Sequence, residues 1–199
     1  MPDLKLIDIS VAHLEPVSLD VKAGELVCIS GESGSGKSLL LRAIADIIPH
    51  EGQALLDGQS SLSMNGPKWR SQVALLPAES QWWDDSVASH FVNSNQEYLT
   101  DLGLSEEAMT WQVSRCSTGE KQRLAILRLL NRTPICLLLD EPTGSLDPQN
   151  TERVEALITK LCKEQKLPVI WVSHSNEQIQ RIADRQFKMQ NGRLVEHEQ

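Results

Sequence analysis

The sequence predicts an α/β protein: a mostly parallel core sheet, antiparallel β structure at its N-terminal side, and an inserted α-helical segment. Three observations predict it. LKLIDI (Leu4–Ile9) and VSLDV (Val17–Val21) alternate apolar and polar residues with the two-residue period of half-buried strands. LVCIS (Leu26–Ser30), ICLLLD (Ile135–Asp140) and PVIWVS (Pro168–Ser173) are nearly continuous apolar runs, as in parallel strands covered on both faces. SLLLRAIADII (Ser38–Ile48) and TERVEALITKLCKEQ (Thr151–Gln165) carry apolar residues at helical spacing, the second lying between two of those runs.

In chain order, Ala23–Glu25 turns the opening pair of strands into the first buried run. The first helix stops at Pro49, which cannot continue it. HEGQALLDGQ (His50–Gln59) reads as turn, short strand, turn, antiparallel to the opening strands. QVALL (Gln72–Leu76) is a further strand, ended by Pro77. From residue 78 the composition becomes polar and tryptophan-bearing, with helices expected in ASHFVNSNQEYL (Ala88–Leu99) and GEKQRLAILRLLNR (Gly119–Arg132). The helix of 151–165 then joins two buried runs in a β-α-β crossover, right-handed by the general rule for parallel sheets. FKMQNGRLVEHE (Phe187–Glu198) closes as a hairpin turned at Asn191-Gly192. The expected organisation is a single domain over 1–199, with its core in 1–77 and 133–199 and a helical subdomain over 78–132.

A chain of 199 residues has room for a real core. Its net charge of −8 argues against nucleic acid as a partner and against general adhesion to an anionic membrane surface, because the electrostatic footprint has the wrong sign. The four cysteines (Cys28, Cys116, Cys136, Cys162) form no C-x-x-C pair, and most sit among apolar neighbours, which predicts free buried thiols in a reducing compartment. MPDLKLIDIS carries no signal-peptide pattern, and no apolar run approaches the roughly 18 residues of a bilayer span, so no direct membrane insertion is expected.

The chemistry concentrates in two places. Gly31-Glu32-Ser33-Gly34-Ser35-Gly36-Lys37-Ser38 follows a predicted strand and opens a predicted helix, the context that the phosphate-binding pattern G-x-x-x-x-G-K-[ST] demands. Such a loop converges backbone N–H groups and a helix N-terminus on phosphate. Lys37 would neutralise the β- and γ-phosphates, and the Ser38 hydroxyl would hold Mg²⁺. The run ending in Asp140-Glu141 puts two acids at the carboxyl end of a buried strand, where open α/β sheets bind ligands. Asp140 suits Mg²⁺; Glu141 suits a general base toward an attacking water. Upstream, Ser117 and Glu120 in CSTGEKQR form a capping-box pattern, so a helix starts there and offers a second anion cradle. One chain has little use for two cradles on one terminal phosphate, which suggests that the second serves another copy.

Gly31–Ser38, CSTGEKQR, LLLDEPTGSLD and VSH together resemble the ATP-binding-cassette (ABC) ATPases, in order and spacing over essentially the whole chain. The resemblance implies a P-loop NTPase fold of the ABC ATPase type. It also implies a head-to-tail homodimer with two ATP molecules sandwiched between subunits. CSTGE stands where the family has LSGGQ, so Ser117 and Gly119 would act on the partner's nucleotide. Ser145–Asp147 matches the D-loop, where Asp147 would join the two sites. His174 matches the histidine that contacts the γ-phosphate. The implied activity is ATP hydrolysis driving a separately encoded integral membrane permease, from a cytoplasmic, peripheral position on the inner face of the membrane. The compact length looks most like small two-component exporters proposed for iron, with peptide or lipoprotein exporters as rivals. A soluble, non-transport ABC ATPase and a non-hydrolysing regulatory subunit are the alternatives.

The chain departs from the family pattern at four places. Ala78 stands where a glutamine joins core and helical subdomain, with Glu79 and Gln81 nearby as substitutes. No aromatic ring falls near Val11 to stack on the base, and His13 is the only ring there, so base-promiscuous binding is expected. Cys116 replaces Leu and Thr118 replaces Gly in the signature without removing the Ser117 hydroxyl or the Gly119 amide. Trp82 and Trp83 lie where the family receives its permease, and Trp171 reads as a core residue of its strand.

Overall fold

The computed structural model describes residues 1–92 and 97–197. Two sheets organise it. The smaller is antiparallel, in the order β2 (Val17–Val21), β1 (Leu4–Ser10), β4 (Glu51–Leu56), β5 (Gln59–Ser60). The larger runs β10 (Arg193–Glu196), β9 (Arg185–Gln190), β3 (Leu26–Gly31), β8 (Val169–Val172), β7 (Cys136–Asp140), β6 (Val73–Leu76). All its pairings are parallel except the edge hairpin β9–β10. This is the mixed α/β architecture expected.

The apolar runs are continuous because the large sheet feeds two separate clusters. Leu137, Leu139, Val169 and Trp171 pack on one face with α3 (Thr118–Leu130) and α4 (Pro148–Gln165). Cys136, Leu138, Ile170 and Val172 pack on the other with α1 (Lys37–Ile44) and the small sheet. Side chains alternate faces along a strand, so a strand buried on both sides has no polar positions to spare. The expected core role of Trp171 holds, at 0% exposure.

Local signals set the element ends. Asp147 caps α4 by accepting from the Asn150 amide, so that helix starts at Pro148, three residues before the expected Thr151. Asn191 and Gly192 both take positive φ, 51° and 79°, the conformation a two-residue hairpin turn needs.

Several elements differ from expectation. α1 ends at Ile44 rather than Ile48, because Asp46 turns left-handed at φ 54°. Two short helices were not foreseen. α2 (Gly66–Gln72) is capped by Asn65, whose side chain accepts from Lys68 N. It buries Trp69 completely, with the indole N–H donated to Ile44 O at 2.8 Å. α5 (Asn176–Ile182) is capped by Ser175. The helix expected over Ala88–Leu99 is not there as drawn: a single 3₁₀ turn occupies Ala88–His90 and turns resume at Glu97, while residues 93–96 lie outside the described residues. The reason is His90, buried and used as a hub. Its Nε2 accepts from the amides of Trp83 and Asp84, and Nδ1 bonds Ser86 O, which folds the chain back instead of propagating a helix.

Candidate functional site

β3 delivers the chain into the glycine loop and α1 takes it up at Lys37, so Gly31–Ser38 lies between a buried strand and a helix N-terminus. Lys37 is 5% exposed, and its ammonium donates to Gly31 O at 2.9 Å and Glu32 O at 2.8 Å. Burial pulls its pKa below the ordinary lysine value, against the opposing pull of Glu141 and Asp140. Two glycines are required by space. A Cβ on Gly31 would meet Met189 O at 2.4 Å, and one on Gly36 would meet Leu14 Cδ2 at 2.2 Å. Ser35 Oγ is buried without a partner among the described residues.

Asp140 ends β7 beside this loop, 4% exposed. Burial pushes its carboxyl above the ordinary range, while a hydrogen bond from Ser38 and the charges of Arg42 and Lys37 draw it back. Its Oδ1 is buried and has no partner among the described residues. A buried carboxylate with an unfilled lone pair beside a serine hydroxyl is the hard-oxygen donor set that Mg²⁺ takes, so the residues present fit that ion. Glu141 follows in a left-handed conformation at φ 49°, held by Glu141 N donating to Val172 O and Gly144 N donating to Glu141 O. That turn aims its carboxylate at His174: Nε2 and Oε1 are 2.8 Å apart. A cavity of about 160 Å³ is lined by Gly34, Gly36, Lys37, Ser38, Glu141 and His174, among others, so the fold brings the glycine loop together with two strand-end residues that lie far along the chain from it.

The remaining expected residues sit elsewhere. Ser117 is the N-cap of α3, and its capping box with Glu120 is complete: Ser117 N donates to Glu120 Oε2 at 2.8 Å and Glu120 N donates to Ser117 Oγ at 3.2 Å. The Ser117 amide accordingly holds the Glu120 carboxyl below the usual range. Gly119 lies beside Leu146 and Ser145, and neither Ser117 nor Gly119 lines the Lys37 cavity. Asp147 spends both carboxylate oxygens on Asn150, through its amide and its side chain. Ala78 and Glu79 are exposed, and Gln81 uses its carbonyl to accept from Arg128. None of the three lines the cavity. Near Val11 a second cavity of about 400 Å³ has His50 as its one aromatic ring among the described residues. His13 is exposed and does not line it.

Sequence reasoning missed Leu14, which seats against Gly36, and Arg42, one turn along α1 from Ser38, whose charge draws the Asp140 carboxyl down. The i, i+4 spacing of Ser38 and Arg42 was the one available signal for the latter. All four cysteines are free and buried, one more than the apolar surroundings in the sequence predict.

Comparison with known proteins agrees with this geometry. The family model described as "ABC transporter" matches residues 14–144. The protein STAR1 of Oryza sativa subsp. japonica is 38% identical, covering 92% of this chain and 57% of the relative. The probable iron export ATP-binding protein FetA of Escherichia coli (strain K12) is 31% identical, covering 83% of this chain and 80% of the relative. The chain spans 56% of the methionine import ATP-binding protein MetN of Corynebacterium efficiens, at 34% identity over 92% of this chain. Among solved structures, a dimeric post-hydrolysis state of the ATP-binding cassette MJ0796 bound to ADP and Pi superposes with a TM-score of 0.84 at 23% identity, covering 98% of both chains.

The fold and the convergence of loop, acids and histidine define a P-loop nucleotide-binding domain. The chain belongs to the ABC transporter family. Among the described residues no helix is long and apolar enough to cross a membrane.

Proposed function

We propose that this chain is the ATP-hydrolysing subunit of an ABC transporter, working as a homodimer beneath a separately encoded membrane permease. The observation that carries the reading is the 2.8 Å Glu141–His174 pair facing Lys37 and Ser38 across one cavity, while the Ser117 helix tip stands outside it. A γ-phosphate in that cavity meets Lys37 and the loop amides, and the tip of a second copy supplies the far wall. Mg²⁺, when bound by Ser38 and Asp140, screens the phosphate charge. Glu141 takes the proton of the attacking water. His174 fixes the direction of that carboxylate and reaches the terminal phosphate.

Permease contact is assigned to the surface bearing Trp83, which is 66% exposed and lines a groove with Ile47, Arg128 and Arg132. Trp82 is half-buried and packs on the core, so of the two tryptophans it is Trp83 that faces outward. Relatives named for methionine import and for iron export support a transport role. In the cell the subunit would be held at the cytoplasmic face through the permease.

The test is phosphate release and size exclusion with the full chain. Wild type is expected to hydrolyse ATP with Mg²⁺. Glu141→Gln is expected to lose about 10²- to 10⁴-fold in kcat, the range for removing a general base, and to elute as a dimer at saturating MgATP. A variant that keeps turnover sinks the role of Glu141, and a persistent monomer sinks the shared site.

A further inference from the structure

Behind the Glu141–His174 pair lies a buried polar network none of whose groups takes part in the proposed chemical step. Gln178 on α5 is 4% exposed. Its amide nitrogen donates to Thr143 Oγ1 at 2.9 Å and to Glu155 Oε1 at 2.8 Å, and its oxygen accepts from Ser173 Oγ at 2.7 Å. Thr143 belongs to the turn that follows Glu141, and Ser173 immediately precedes His174. Ser173 Oγ also accepts from Ser175 N at 3.1 Å, so it is tied on both sides of the histidine. Glu155, buried on α4 at 4% exposure, is neutralised by Arg181, whose Nε and Nη2 donate to its two oxygens at 2.7 and 2.8 Å.

We propose that Gln178 is a positioning residue: it clamps the turn after Glu141 to the loop carrying His174 and so fixes the separation of the hydrolytic pair. The reasoning rests on the reading of Glu141 and His174 as that pair. Glu141 sits in a left-handed conformation that persists only where its surroundings over-determine it. The Thr143 bond is one of the restraints that do so. Gln178 is long and flexible, so the Glu155–Arg181 pair is what aims it: Glu155 accepts from one amide N–H, which leaves the other for Thr143 and turns the oxygen to Ser173. An amide fits this post because the site needs two donors and one acceptor on one group, which neither a carboxylate nor a hydroxyl offers.

The test uses the full chain and the variants Gln178→Leu, Thr143→Val and Thr143→Ser. In the first two, kcat for ATP is expected to fall about 10- to 100-fold, the effect of a misplacement near 1 Å, while the Kd of a fluorescent ATP analogue stays within about twofold. Thr143→Ser keeps the hydroxyl and is expected to retain most of the turnover. In nucleotide-free protein, the imidazole NMR resonances of His174 are expected to move in Gln178→Leu and Thr143→Val but not in Thr143→Ser. Unmoved resonances overturn the proposal, as does unchanged kcat in folded variants. A parallel loss of kcat and nucleotide affinity overturns it too, because that marks general loosening. If Gln178→Leu does not fold, Thr143→Val decides by the same criteria. A wild-type chain without ATP turnover refutes the proposed function, and the resonance criterion still judges the clamp.

Discussion

Gly36 joins the phosphate loop to the fold, and replacing it by alanine probes both at once. Its backbone is left-handed at φ 106°, ψ 4°, where an L side chain is strained by about 1–3 kcal/mol. The added Cβ falls 2.2 Å from Leu14 Cδ2 and 3.2 Å from Leu14 Cγ, inside ordinary contact. Leu14 is 4% exposed and has little room to yield, so overpacking adds about 1–3 kcal/mol. Gly36→Ala should therefore cost about 2–6 kcal/mol, and Leu14→Ala about 2–5 kcal/mol on its own. In the double variant the clash vanishes, leaving the backbone strain and the cost of truncating Leu14. The double should then be milder than the sum of the singles by about 1–3 kcal/mol. Urea unfolding followed by tryptophan fluorescence measures all four corners of the cycle, and a fluorescent nucleotide titration follows the loop. Singles that add within about 0.5 kcal/mol would refute the contact between Leu14 and the loop. Nucleotide affinity is expected to fall in Gly36→Ala and to recover in part in the double variant.

Ser117→Ala breaks the capping box and is expected to lower stability by about 0.5–2 kcal/mol. ATPase turnover should fall further than that loss of folded protein accounts for, and unchanged turnover per folded molecule argues against the role of Ser117 in trans. Trp83→Ala leaves stability within about 0.5 kcal/mol, since the ring is exposed, but should abolish capture of the permease; Trp82→Ala should cost stability because that ring packs on the core. With the His50 imidazole but no Phe, Tyr or Trp among the described residues lining the cavity near Val11, ATP and GTP are expected to bind with affinities within about tenfold, or about 1.4 kcal/mol. Tight ATP binding with no GTP binding defeats that expectation. Burial pushes the Cys28 thiol up to about 12 and the Cys162 thiol up to about 11, so both stay protonated through pH 9. A thiol reagent at pH 8 should label them only on unfolding, and fast labelling of the native chain at either position would contradict their burial.

Much of this was legible in the sequence because the strongest signals are strictly local. Leu26–Ser30, Ile135–Asp140 and Pro168–Ser173 announce buried strands by lacking polar residues. Gly31–Ser38 announces a phosphate loop by fixed spacing. Ser117 and Glu120 form their capping box within one helical turn. What stayed hidden depends on long-range contact. α2 is only seven residues long and is stabilised by burying Trp69 against the end of α1. Its local sign was Asn65-Gly66-Pro67, a cap followed by proline in the first turn. The segment Ala88–Leu99 has fair helical residues, yet His90 turns inward and takes the amides of Trp83 and Asp84. Gln178 is polar, unremarkable in pattern, and meaningful only once Thr143, Glu155 and Ser173 surround it.

The alternation of β7 and β8 between two apolar compartments has a consequence for how the domain comes apart. These strands form a party wall: each supplies every second side chain to one room and the rest to the other. Neither room can empty while the wall stands, and pulling the wall down opens both at once. Heat or denaturant should thus meet one cooperative collapse, and the phosphate loop, hung from the end of β3 beside that wall, goes with it.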